Sequence, residues 1–187
     1  MRADRPGQSA LLFLDVVEVL QHEGLAYAAI GAFALAVHGT VRASTDVGAL
    51  LFSTPQQLAT LGAVFERAGF ATELRRGDPD DPIAGMLILG DSHHNRVELL
   101  GGLRGMDPAM FSRTVEVPFR GVSLRFVGRE DLIAMQCFAG APQDLLDAQS
   151  AYCNAQGPLD LDLLRAVTRR FGREAADNLE QVLVHWP

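Results

Sequence analysis

Asp46 closes an Arg-containing run, Arg42-Ala43-Ser44-Thr45-Asp46, and opens the apolar stretch Val47 to Phe52. Successive side chains on a strand alternate faces, so positions 46 and 48 of a strand here project to one side, where two carboxylates could share Mg²⁺ ions. Position 48 is a glycine, Gly48, which leaves one carboxylate. A second acid, Glu98, lies between Val97 and Leu99 in the run NRVELL. It is read as the contribution of a neighbouring strand to the same site, against the alternative of an acid on the solvent face of an amphipathic strand. Metal-assisted phosphoryl transfer needs oxygen ligands that hold the cation, orient the phosphates and activate the attacking hydroxyl. Asp46 and Glu98 are therefore the candidate carboxylates for such a cation.

Upstream, the apolar run Ala26 to Ile30 meets Gly31, where the chain is expected to turn tightly into a helix whose free N–H groups could receive a phosphate. Gly39 is expected to end that helix after His38. Arg42 would then steady a phosphate or position Asp46. The bland alternative makes the glycines ordinary turn residues and Arg42 a solvated loop charge.

The ordered string of strand, glycine, helix, Arg, Thr and Asp from Ile30 to Phe52 resembles the signature of the nucleotidyltransferase superfamily, of the DNA polymerase beta-like kind. The similarity is to its abortive-infection and toxin–antitoxin members, and it runs from about Gly24 to Ala148. In that family a Gly-Gly or Gly-Ser pair precedes Asp-hydrophobic-Asp on a strand. Here the pair is Gly31-Ala32 and the acidic strand is Asp46-Val47-Gly48, while Arg42 and Thr45 match an Arg-x-x-Thr-Asp run. The resemblance implies nucleotide-binding roles for Gly31, Ala32, Arg42, Thr45 and Gln136. It implies that Asp46 and Glu98 are catalytic acids and metal ligands of a reduced site, with Glu98 as the third acid, and that Asp147 handles nucleotide or acceptor or acts as base. Gln136 stands where relatives commonly carry a lysine. The chain has no lysine, all 16 basic residues being arginine, so no catalytic amine, Schiff base or P-loop lysine is available.

Two function classes follow. One is an active, Mg²⁺-dependent enzyme that moves a nucleotide from a nucleoside triphosphate to RNA or protein with a reduced acidic site. The other, favoured by the loss of Asp at 48 and of positive charge at 136, is a degenerate or weakly active member that binds nucleotide or a protein partner in a toxin–antitoxin-like system.

The elements that must position these residues are legible in outline. An N-terminal helix is expected from about Ser9 to Glu23, and a helix from Pro55 to about Ala68 with Thr54 as its cap. Strands are expected at Phe70 to Leu74, Met86 to Leu89, Asn95 to Leu100, Thr114 to Val117 and Val122 to Val127, with a polar loop at Arg76 to Pro82 that could move over a site. From Arg129 the pattern is helical, with breaks at Gly140 to Pro142, Gly157-Pro158 and Gly172. The expected architecture is α/β (α+β): a nucleotidyltransferase-like mixed sheet flanked by helices, divided into a core over 1–128 and a C-terminal helical subdomain over 129–187.

At 187 residues and 48% hydrophobic, the chain suffices for one well-packed core. No run approaches the roughly 18 apolar residues of a membrane span, and the N-terminus lacks a signal-peptide layout, so a cytoplasmic location is expected. A formal net charge of −7 argues against a broad nucleic-acid surface, although Arg165, Arg169, Arg170 and Arg173 cluster where they could hold an RNA acceptor. Arg75, Arg76, Arg96 and Arg104 could border a cleft. Cys137 and Cys153 read as free thiols without chemistry, His93 and His94 as a hairpin tip, and Asp144 as a helix N-terminal acid.

Overall fold

The computed structural model describes residues 1–154 and 157–184. Its element order is α1 Ser9–His22, β1 Tyr27–Ile30, α2 Gly31–Val37, β2 Val47–Leu51, α3 Pro55–Arg67, β3 Ala71–Arg76, β4 Ile83–Gly90 and β5 Arg96–Leu103, then a 3-10 turn Pro108–Ser112, β6 Val115–Phe119 and β7 Val122–Phe126. Four helices complete it: α4 Arg129–Ala139, α5 Pro142–Cys153, α6 Leu161–Arg170 and α7 Arg173–Val184. The seven strands form one mixed sheet in the order β3-β4-β5-β2-β1-β7-β6. The β2–β5 and β1–β7 pairs are parallel and the others antiparallel.

The two faces of this sheet differ in composition. One row across it runs Leu74, Leu87, Leu99, Ala49, Ala29 and Phe126 in register, and from Leu87 onward all of these are buried. This is the core face. Helix α1 covers part of it with Leu12, Phe13, Val16, Val17 and Leu20, the 3.6-residue spacing of an amphipathic helix, each completely buried. Burying such side chains contributes about 1.5–3 kcal/mol each, an upper figure because unfolded chains already hide some apolar surface. Helix α3 starts where the sequence announces it: Thr54 and Gln57 form a reciprocal capping box, with Pro55 in the first turn.

The adjacent row points to the opposite face and reads Glu73, Ile88, Glu98, Gly48, Ile30. It carries the two candidate-site positions. At its edge, the β4–β5 turn is built on Asp91, whose carboxylate accepts from the backbone of His93 and Asn95 and from the Asn95 amide. Asn95, 2% exposed, also ties this turn to the N-terminal segment through Arg5 and Gln8.

Helices α4 to α7 pack on one another beyond the sheet. Arg113 anchors the N-terminus of α4: its guanidinium meets both oxygens of buried Asp131 at 2.9 and 2.7 Å and Asp107 at 3.0 Å. Bidentate pairing of this kind fixes orientation as well as charge. Gly140 closes α4 in the left-handed conformation and Pro142 opens α5.

Several boundaries depart from the sequence reading. β4 is twice the expected length, and β5 runs on to Leu103, because each strand finds its partner through Gly85 and Gly101. Arg76 belongs to β3 instead of the following loop. The 3-10 turn Pro108–Ser112 had no counterpart among the expected elements. Asp46, expected on a strand, lies immediately outside β2, in the loop before it.

Candidate functional site

Gly31 begins α2 with φ +65°, a left-handed conformation that a side chain would strain, so a glycine is the residue this strand-to-helix turn calls for. The helix it opens has only seven residues, and Ala32 is buried behind the turn. His38 caps its far end, and its Nε2 lies 2.8 Å from the carbonyl of Val127 at the end of β7. Burial pushes the imidazole pKa below its ordinary value, with nearby Arg129 acting in the same direction and the Val127 carbonyl and Glu130 opposing. The neutral ring therefore donates Nε2–H to the carbonyl, a structural link between α2 and the sheet.

Past α2, the loop over 40–46 leads to Asp46. The Asp46 carboxylate is exposed and has no ion pair or side-chain hydrogen bond among the described residues, while the backbone before it is held by Ser9 Oγ donating to the carbonyl of Thr45. Two residues on, Gly48 sits directly opposite Glu98 in the parallel β2–β5 pair. The sheet thus places Glu98 where a carboxylate from position 48 would face it, and position 48 offers none. Glu98 is itself engaged: Arg96, two residues earlier on the same face of β5, reaches its Oε1 at 2.9 Å. Position 48 is also crowded, since a Cβ there would lie 3.2 Å from Ile30 Cγ1.

Arg42 and Asp147 are brought together. The Asp147 carboxylate is buried on α5, its Oδ1 accepting from Gln143 Nε2 at 2.9 Å and its Oδ2 lying 3.1 Å from Arg42 Nε in an ion pair that lacks hydrogen-bond alignment. The loop cation and the helix acid, expected to serve phosphates and acceptor respectively, neutralise each other. As to metal, no group of three or more His, Cys, Asp or Glu residues among those described is arranged to hold an ion. One free carboxylate, one carboxylate paired with arginine and a glycine do not make a donor set suited to Mg²⁺, which favours octahedral oxygen coordination through carboxylates and substrate phosphates.

Gln136 lies elsewhere in the same region. Leu132, Met135, Gln136 and Ala139 follow i, i+3, i+4, i+7 spacing on α4 and line a cavity of about 350 Å³ against the sheet. Ile30, Leu50 and Leu100 form its floor, on the face that carries Gly48 and Glu98, and Gly31 joins it at the turn into α2. Pro82 and Ile83 close the rim, at the end of the polar loop over 77–82. That loop is held by Arg104, which donates to the carbonyls of Asp80 and Asp81. The lining is apolar apart from Gln136.

The other arginines expected at a cleft or an RNA surface are largely engaged locally. Arg75 pairs with Glu73, Arg165 with Glu180 and Arg173 with Asp177, and Arg170 donates to the carbonyls of Gly105 and Met106. Burial pushes the Cys137 thiol up to about 12, so it offers no thiolate at neutral pH. The apolar stripe of α4 was missed as a functional feature, although its helical spacing in LIAMQCFA is visible in the sequence. The Arg96–Glu98 pair was also missed; its signal is the i, i+2 spacing that sets both on one strand face.

Solved structures of similar shape place this architecture. The antibiotic-resistance factor ANT(2″)-Ia superimposes with a TM-score of 0.61 at 14% identity, over 96% of this chain and 98% of that one. A putative nucleotidyltransferase from Thermotoga maritima gives 0.58 at 13% identity, over 81% and 96%. This is the nucleotidyltransferase fold. The lincosamide antibiotic adenylyltransferase LnuA, in a lincomycin-bound structure, gives 0.50 at 11% identity, over 82% of this chain and all of that one. No protein-family model matches the chain, and no curated protein is significantly similar to it in sequence. Among the described residues no helix of this nucleotidyltransferase-fold chain is long and apolar enough to cross a membrane.

Proposed function

We propose that this chain is a degenerate member of the nucleotidyltransferase fold that works by binding and has lost efficient metal-dependent nucleotidyl transfer. The observation that carries this reading is the pairing of Gly48 with Glu98, whose carboxylate is already committed to Arg96. A transferase must neutralise charge that develops on a triphosphate, through metal ions and fixed cations. Here the carboxylate pair is incomplete, Gln136 supplies an amide in place of a cation, and Arg42 is held by Asp147. A small-molecule or nucleotide ligand in the cleft under α4 is supported by the cavity itself. ANT(2″)-Ia, solved with adenylyl-2″-tobramycin, and LnuA, solved with lincomycin, are neighbours of this shape that hold small molecules. A protein partner in a toxin–antitoxin-like pair is the counterpart implied by the sequence resemblance.

A second reading, a Mg²⁺-dependent transferase acting with Asp46 and Glu98 alone, is favoured by the free carboxylate of Asp46. Incubating the full chain with each labelled nucleoside triphosphate, Mg²⁺ or Mn²⁺, and total RNA or protein separates the two. The binding reading expects no incorporation. Robust incorporation that disappears in Asp46→Ala establishes the reduced-site enzyme instead.

A further inference from the structure

The cavity between α4 and the sheet is chemically unlike a triphosphate site. Among the described residues no charged side chain lines it, and its floor and walls are apolar: Leu50 and Leu100 below, Leu132, Met135 and Phe138 beside. Phosphate oxygens placed there would lose their hydration without gaining a cationic side chain. The exception to the apolar lining is Gln136. It is 8% exposed and lines the cavity, and its side-chain amide makes no hydrogen bond to a described residue while keeping some access to solvent. A buried amide ordinarily finds partners within the protein or in ordered water, because leaving one unmade is costly. An amide without a protein partner at the wall of an apolar cavity is a recognition group: it can donate through Nε2 and accept through Oε1 at once. At about 350 Å³ the space is near the lower end of the roughly 300–1,000 Å³ occupied by small-molecule sites.

We infer that this cavity binds a small, uncharged, mainly apolar molecule bearing one amide-like group that pairs with Gln136. The inference rests on the binding reading above and narrows it, by excluding the phosphate-bearing part of a nucleotide from this cavity. An amide or lactam edge, with a carbonyl beside an N–H, would satisfy both ends of Gln136, while an aromatic or aliphatic body would displace water from Leu50, Leu100 and Met135.

Benzamide is a suitable probe, with benzoate as its charged counterpart, toluene as the body without the polar group, and ATP with Mg²⁺ as the polyanion. NMR titration of the full chain is expected to show benzamide binding with a Kd of about 1 mM, as befits so small a ligand. Benzoate should bind at least about tenfold more weakly, given the absence of a cation in the lining. Gln136→Leu should weaken benzamide about three- to tenfold, the worth of a neutral hydrogen bond, and leave toluene unchanged. Met135→Trp and Ile83→Trp fill the space from opposite walls, and either, once a thermal melt shows it folded, should abolish benzamide binding. No benzamide binding up to its solubility limit, equal binding of benzoate, or binding that persists in a folded tryptophan variant overturns the inference. Weak benzamide binding lost equally for toluene in Gln136→Leu also overturns it. These outcomes are separable from those of the transfer assay: an empty cavity with no transfer leaves the binding reading standing, and transfer with an occupied cavity removes that reading alone.

Discussion

Individual side chains set what the site can do. Arg42, expected to steady a phosphate or position Asp46, is the counter-charge of a carboxylate only 4% exposed. Removing one partner of a buried pair leaves a stranded charge, at a cost of about 3–5 kcal/mol in fully buried cases. Arg42 is 39% exposed, so water moderates the loss, and Arg42→Ala should destabilise the fold by about 1–3 kcal/mol in denaturant titration. Asp147→Asn, which keeps the Gln143 contact and removes the charge, should cost clearly less. If Arg42 instead stands ready for phosphates, Arg42→Ala will leave stability unchanged and weaken nucleotide binding. Gly48 makes the second test at this scale. An aspartate there must push Ile30 aside and would face Glu98, so Gly48→Asp should lower stability by about 1–2 kcal/mol, with added Mg²⁺ recovering part of it. A melt unchanged by the substitution, with or without Mg²⁺, would show that the position is neither crowded nor paired with Glu98.

Between elements, the most direct coupling is His38, which links the end of α2 to the end of β7. Because its folded pKa is lowered, the unfolded chain binds the proton more readily, and stability rises with pH across the window. The contribution is fully present above about pH 6.5, the ordinary imidazole value, and is lost as pH falls through the lower folded value. Melting curves from pH 7.5 to 5 should therefore show a loss in the native chain that is reduced in His38→Gln, which can still donate to Val127. An identical pH dependence in both would remove this role. At this scale the sequence was informative wherever the signal is local: the Thr54-Pro55 cap, the Gly140 to Pro142 break and the apolar face of α1 each depend on neighbours within a few residues. Asp46, Gly48 and Glu98 could be named from their strand patterns as well. What one chain of letters does not carry is the pairing. The register of β2 with β5 and the capture of Asp147 by Arg42 join side chains through the fold, whereas the Arg96–Glu98 pair is local to β5; together they decide what the acids are free to do.

Across the whole molecule, a nucleotidyltransferase fold presents one sheet face to a buried core and the other to a cleft beneath α4. Along this cleft Glu98 and Asp147 are paired with arginines, position 48 carries no acid, Asp46 is free, and the cavity under α4 is apolar. These carboxylates are accordingly not expected to form a divalent-metal site. Electron paramagnetic resonance of Mn²⁺ titrated into the full chain with ATP tests this expectation, because free, ATP-bound and protein-bound Mn²⁺ give distinct signals. The account predicts no protein-bound Mn²⁺ at micromolar protein beyond what ATP alone sequesters, and no change in Asp46→Ala or Glu98→Gln. A saturable protein-bound signal in the low micromolar range, lost in both of those variants, would contradict it.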